Sequence, residues 1–217
     1  MYKKCFPSAG WTVLKKLGSL HEQHSAVLAG GTALALQIGH RISYDLDFFT
    51  SQAFTSEQII RKIQATGLEY QVLSESEGTF LAEINGVKFS IFNYPYPWVE
   101  NPIKIGSFQM ANLLDIAVMK LIAISQRGTK RDFVDLYFIL QSLPFHLIAS
   151  ALVKKFGRKR INPIHIGKAL VYFSDAEADP EPRYASKKSL PWKKIKLYFN
   201  QHCKQLTLDL RSACHES

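Results

Sequence analysis

Asp45 and Asp47, in the segment YDLDFF, are the side chains of this sequence best suited to chemistry, and a glycine pair, Gly30-Gly31, lies about fifteen residues before them. Apolar and polar residues alternate in that segment. A strand through residues 44–49 therefore sets Asp45 and Asp47 on one face and Leu46 and Phe48 on the other. Two carboxylates facing the same way repel each other and need a compensating charge; a hard divalent cation with oxygen ligands, Mg²⁺ or Mn²⁺, supplies it. Upstream, the apolar run 26–29, the glycine pair and the helix formers of residues 32–37 read as strand, tight turn and helix. The first N–H groups of such a helix point outward at the positive end of its dipole, and the glycines let a phosphate approach the backbone. A phosphate seat followed by a same-face acid pair is the minimum equipment for metal-assisted nucleotidyl transfer. Taken singly, the glycines are also an ordinary turn and the acids a solvated strand edge; their order and spacing together favour the chemical reading.

Gly30-Gly31-Thr32, then Arg41 and Ser43, then Asp45-Leu46-Asp47-Phe48-Phe49 resemble the first motif of the nucleotidyltransferase toxins of the AbiEii/AbiGii kind, in the polymerase-beta-like superfamily. The resemblance continues through residues 112–140 and reaches the segment FSDAEADPEP around Asp175. It implies a Mg²⁺-dependent (or Mn²⁺-dependent) enzyme that moves a nucleotide from an NTP to an acceptor hydroxyl; the 3′ end of a tRNA, another RNA and a protein hydroxyl are the acceptors left open. It also implies a toxin of a toxin–antitoxin or phage-defence system, with a cognate antitoxin. Carried onto this sequence, it makes Asp45 and Asp47 metal ligands and places Gly30, Gly31 and Thr32 on the nucleotide. It puts Lys120 beside the phosphates and favours Asp132 as a catalytic acid. Arg41 and Ser43 either contact the phosphates or fix the loop that leads to the acid pair. The superfamily commonly carries a third carboxylate on a neighbouring strand, where this chain has Ser90; Glu83 across a hairpin is the available substitute. With that charge missing, one well-held metal is the expectation, and a degenerate nucleotide- or RNA-binding module is the alternative.

The elements that must position these residues follow from periodicity. Residues 10–24 have a helical apolar face, and residues 55–65 read as a Ser/Thr-capped surface helix with Ile59, Ile60 and Ile63 on one side. Three strands are expected at 69–73, 79–84 and 87–92, the last two joined by Asn85-Gly86, a strong hairpin signal. The proline-rich stretch 94–102 reads as a linker. The fold class expected is α/β: an N-terminal nucleotidyltransferase lobe, residues 1–104, with a mixed sheet and flanking helices, then an all-helical basic lobe, residues 105–217.

In that second lobe, residues 111–125 are apolar nearly all round, which marks a buried helix, yet Lys120 sits in its middle. A buried ammonium needs a partner, either a protein carboxylate or a ligand phosphate. The turn QRGTK follows, then a helix from Asp132. Thr129 and Asp132 have capping-box spacing, while Asp132 and Asp135 share a helix face from which they can pair with Lys120 or Arg127. Asp115 reads as a first-turn acid favoured by the helix dipole.

Composition bounds the rest. A chain of 217 residues that is 47% hydrophobic can bury a large core, which excludes a disordered protein. Residues 151–217 hold 14 of the 27 Lys and Arg but only 6 of the 18 Asp and Glu, so nearly all of the net charge of +9 lies there. A basic lobe beside a neutral one suits a polyanion such as RNA, although surface lysines also serve solubility. Three scattered cysteines, Cys5, Cys203 and Cys214, without zinc spacing, point to reduced thiols in a cytoplasmic protein, and no stretch reads as a signal peptide or a membrane span.

Overall fold

Strand β2 (Leu46–Thr50) alternates in burial as its sequence requires: Leu46 and Phe48 are fully buried, Asp47 and Phe49 half-buried. It pairs antiparallel with β1 (Val27–Ala29) and parallel with β5 (Val87–Asn93). Beyond β5 lie β4 (Thr79–Ile84) and β3 (Tyr70–Ser76), each antiparallel to its neighbour. Beyond β1 lie β7 (Phe108–Met110), parallel to it, and then β6 (Ile103–Ile105), antiparallel. The sheet is mixed and seven-stranded, in the order β3-β4-β5-β2-β1-β7-β6. Between β4 and β5, Asn85 and Gly86 both take positive φ, 49° and 75°, the geometry of the tight primed turn that Asn-Gly favours.

This is a computed structural model, and it describes residues 1–185 and 190–216. Helices α1 (Ser8–Leu17), α2 (Leu20–His24), α3 (Gly30–Ile38) and α4 (Ser56–Ala65) flank the sheet. The single helix expected over residues 10–24 is broken. At Gly18 the backbone passes so close to Ser107 that a Cβ would stand 2.4 Å from its Oγ. Helix α4 starts with a capping box: the Thr55 side chain accepts the Gln58 N–H while the Gln58 side chain accepts the Thr55 N–H, and Ile59 and Ile63 are buried behind it. Such a cap contributes about 1 kcal/mol.

The chain divides into two compact units between Asn112 and Leu113, later than the boundary expected near residue 105. Phe108 and Met110 are buried on a strand that extends the sheet, so residues 103–110 belong with the first unit. The described residues of the second unit are mainly helical: α5 (Leu113–Gln126), α6 (Lys130–Ile139), α7 (Phe145–Phe156), α8 (Pro163–Ala169), α9 (Ser174–Glu177) and α10 (Trp192–Glu216). Helix α8 has Pro163 in its first turn and an Asn162 side chain accepting the N–H groups of Ile164 and His165. It stops at Ala169. Phe133 packs against Phe173, Trp192 and Phe199, and these rings join α6 to α10.

Candidate active site

In the first unit the glycine pair and the acid pair meet. Gly30 opens α3 with φ +64°, in the left-handed region, and a Cβ built on it would stand 2.7 Å from Asp47 Oδ2. The Asp47 carboxylate therefore lies directly against the start of the helix. Only glycine suits that position twice over, by backbone conformation and by space. Gly31 has a different neighbour: its Cβ would fall 2.3 Å from Arg41 Nη2 and 3.3 Å from Ser43 Oγ. The start of α3 is thus flanked by a guanidinium, although Gly30 and Gly31 themselves remain half-exposed.

The loop between α3 and β2 is held from beneath. Thr32, 1% exposed, donates its hydroxyl to the Asp45 carbonyl and shares a hydrogen bond of 2.9 Å with Ser43 Oγ. Arg41 is 4% exposed and donates through Nη1 to the Ile42 carbonyl at 3.2 Å. Of the two roles open to Arg41 and Ser43, this burial fits the fixing of the loop. Thr32 likewise spends its side chain on the loop, leaving its backbone at the helix start.

Asp45, half-buried, precedes β2, and strand alternation sets it on the face that Asp47 shares. Ser90 on β5 is the register partner of Asp47, and Leu46 pairs with Phe89 on the opposite, buried face. The missing third carboxylate thus corresponds to a position directly beside the acid pair. Glu83 does not take its place. Its partner is Lys88, whereas Leu81 stands across from Ser90, and the whole of β5 separates β4 from β2.

The second unit contains a separate ionic cluster. Lys120 Nζ lies 2.8 Å from Asp132 Oδ1 and 2.7 Å from Asp135 Oδ2, and all three side chains are at least nine-tenths buried. Arg127 Nε donates to Asp132 Oδ2 at 3.0 Å, and the Thr129 hydroxyl donates to the same oxygen at 2.7 Å. Of the two partners open to Lys120, the structure supplies protein carboxylates. Thr129 makes no side-chain cap, so the capping box spacing is used instead for a side-chain pair. Burial alone would raise the Asp132 pKa, but Lys120 and Arg127 outweigh it and hold the carboxyl at about 2.

The acidic segment after α9 docks on the same helix. Asp179 Oδ2 accepts the Lys130 N–H at 2.8 Å, and Lys130 Nζ donates to the Asp179 carbonyl at 2.7 Å. Sequence reasoning missed one pair altogether: Lys155 on α7 and Asp115 on α5 meet at 2.5 Å with both side chains fully buried. Burial pushes the Lys155 ammonium below its usual range, against the pull of Asp115. The signal that was available was the Lys154-Lys155 pair at the end of an apolar helix, where one of the two must face inward.

Among the described residues no group of three or more His, Cys, Asp or Glu side chains gathers as a metal site. The protein donors near α3 are two carboxylates on one face, with the Ser90 hydroxyl alongside. That set suits Mg²⁺, which is commonly bound through one or two carboxylates together with substrate phosphates.

A nucleotidyltransferase fold matches this arrangement. MenT4, a nucleotidyltransferase toxin of Mycobacterium tuberculosis H37Rv, superimposes with a TM-score of 0.60 at 15% identity, over 95% of this chain and 87% of that one. JHP933 from Helicobacter pylori does so with a TM-score of 0.55 at 18% identity, over 99% and 94%. In sequence, the chain is 39% identical over 194 residues to the uncharacterized protein aq_aa25 of Aquifex aeolicus (strain VF5), which covers 85% of this chain and 93% of that protein. The family model described as nucleotidyl transferase AbiEii toxin, type IV TA system, matches residues 12–105 and 90–212, and the chain belongs to that family. It is a nucleotidyltransferase of the toxin class.

Proposed function

We propose that the enzyme transfers a nucleotidyl group from an NTP to an acceptor hydroxyl at the 3′ end of an RNA, with tRNA the foremost candidate, and that it uses Mg²⁺ or Mn²⁺. The observation that carries this reading is the contact of the Asp47 carboxylate with Gly30 at the start of α3. A triphosphate on the amides of Gly30, Gly31 and Thr32 would lie beside the acids that need a cation. Asp45 and Asp47 would hold the metal, which supplies charge neutralisation at the phosphates. The acceptor oxygen forms its bond to the α-phosphorus while the bond to the bridging oxygen breaks. Pyrophosphate leaves, and the hydroxyl proton passes to solvent.

Thr32, Ser43 and Arg41 keep the loop before Asp45 in place, so the acids meet the substrate already oriented. In this reading Lys120 neutralises phosphate charge and Asp132 is its acid partner. A phosphate reaching Lys120 has to join or displace the carboxylates of Asp132 and Asp135. A cognate antitoxin and a cytoplasmic setting complete the proposal; all three cysteines are free thiols. No described helix is long and apolar enough to cross a membrane.

The test is transfer of label from each α-phosphate-labelled NTP, with Mg²⁺, to total tRNA by the wild type and by Asp47→Asn. Label is expected on RNA with the wild type, and a fall of about a hundredfold or more in the variant, in line with loss of a charge-stabilising group. Equal labelling by the two proteins would remove Asp47 from the chemistry. Label on a protein band instead of RNA would replace the acceptor.

A further inference from the structure

On the sheet face that carries the acids, the next positions along both strands are aromatic. Phe49 follows Asp47 by two residues on β2, Phe92 follows Ser90 by two on β5, and the two phenylalanines are register partners with ring centroids 5.3 Å apart. Two strand residues advance the chain by about 7 Å, a step that one unstacked nucleotide spans. Tyr94 continues the array, its N–H bonded to the Thr50 carbonyl at 2.6 Å. Its ring lies 5.5 Å from Phe49, 5.0 Å from Tyr96 and 5.7 Å from Trp98. All five rings are half-buried, neither core nor fully solvated, whereas the opposite face of the same strands is closed by Leu46, Phe48, Phe89 and Ile91.

The composition of this patch selects its occupant. Its five side chains are all aromatic and lie in a row that continues from the acid pair. A nucleobase needs the flat π face in particular. Pro95 and Pro97 alternate with Tyr94, Tyr96 and Trp98 and point the exposed way, so the segment is stiffened and its rings are ordered before anything binds. Continuity with the acid pair sets the direction: a strand whose terminal ribose reaches Asp47 lays its preceding bases along Phe49, Phe92 and the tyrosines.

We infer that Phe49, Phe92, Tyr94, Tyr96 and Trp98 form a stacking platform for the unpaired nucleotides that precede the 3′ hydroxyl of an RNA acceptor. This rests on the reading of the acid pair as the transfer site and names the subsite next to it. The platform recognises single-stranded RNA through base faces, so it discriminates little between sequences and excludes a fully paired end.

Binding of a short unstructured RNA, followed by fluorescence anisotropy without NTP, tests it in the full-length protein. Tyr96→Leu and Trp98→Leu keep apolar bulk and remove the π face. Each is expected to weaken RNA binding about fivefold to a hundredfold while NTP binding and Tm stay near wild type. Unchanged RNA affinity in a folded double variant overturns the inference, and so does a fall in NTP affinity equal to that for RNA, which would make the patch a base site for the NTP. Photocrosslinking of wild-type protein to the same RNA carrying 4-thiouridine near its 3′ end needs no variant: crosslinks within residues 92–98 or at Phe49 support the platform, and crosslinks only elsewhere overturn it. Because binding is read without turnover, a protein that binds RNA here but transfers nothing retains the platform and loses the transferase reading. One that transfers only to a non-RNA acceptor does the reverse.

Discussion

Gly30 and Gly86 share the same backbone peculiarity, φ of +64° and +75°, but differ in what surrounds them. A side chain at Gly86 would meet nothing within 4 Å, whereas one at Gly30 would strike the Asp47 carboxylate. Alanine at either costs about 1–2 kcal/mol in backbone strain. Only at Gly30 must an acid of the candidate site move as well. Gly30→Ala is therefore expected to abolish transfer while Gly86→Ala retains most of it, with similar losses of Tm in thermal melts of both. Activity surviving in Gly30→Ala would separate the helix start from the chemistry. Ser90 belongs to the same scale: in register with Asp47 but uncharged, it leaves the acid pair with one fewer like charge to balance.

Helices α5 and α6 are joined by charge as well as by apolar packing, and the joint is sensitive to pH. Asp132 has a carboxyl pKa of about 2 against an ordinary 3.8. A depressed folded-state pKa adds stability that is fully present above the ordinary value and is lost as pH falls through the depressed one. The amount is about 2 kcal/mol. Urea unfolding between pH 4 and pH 2 is expected to show that loss in the wild type, and a flatter profile in Asp132→Asn, which is already destabilised at pH 7. Helix α7 is held to α5 by the buried Lys155–Asp115 pair in the same manner, where removing one partner leaves the other charge uncompensated.

At the scale of the molecule, charge and chemistry are segregated. The acids and the glycine-opened helix lie in a unit of nearly balanced charge, and the excess of Lys and Arg lies in the helical unit, where Arg158, Lys159 and Arg160 stand exposed in one turn. Such a cluster acts on a polyanion without reading its bases. RNA affinity is accordingly expected to fall steeply with added KCl. Replacing Arg158, Lys159 and Arg160 together with alanine should reduce the log–log salt slope by about 2, at roughly 0.7 per single-strand phosphate contact. An unchanged slope in anisotropy titrations would place the landing surface elsewhere.

Features that depend on residues within a few positions were legible in the sequence: the alternation that turns Asp45 and Asp47 outward, the Ser/Thr cap that proves to be Thr55, the Asn85-Gly86 turn and the buried character of α5. The family motif also located Ser90 correctly as the neighbour of the acid pair, because it encodes a strand order that periodicity alone does not. Residues 105–110, expected in the helical lobe, join the sheet instead, since two three-residue strands carry too little pattern to announce themselves, and the pairing that makes them strands comes from β1. The sequence by itself determined which side chains share a face and which helix start is free of side chains, because both are consequences of backbone period and of glycine. Only the tertiary structure decided that Asp47 rests against Gly30, that Arg41 is buried beside Gly31 and that Lys120 is held by Asp132 and Asp135: these meetings join residues ten or more positions apart, and long-range packing and desolvation choose among partners that local pattern leaves equivalent.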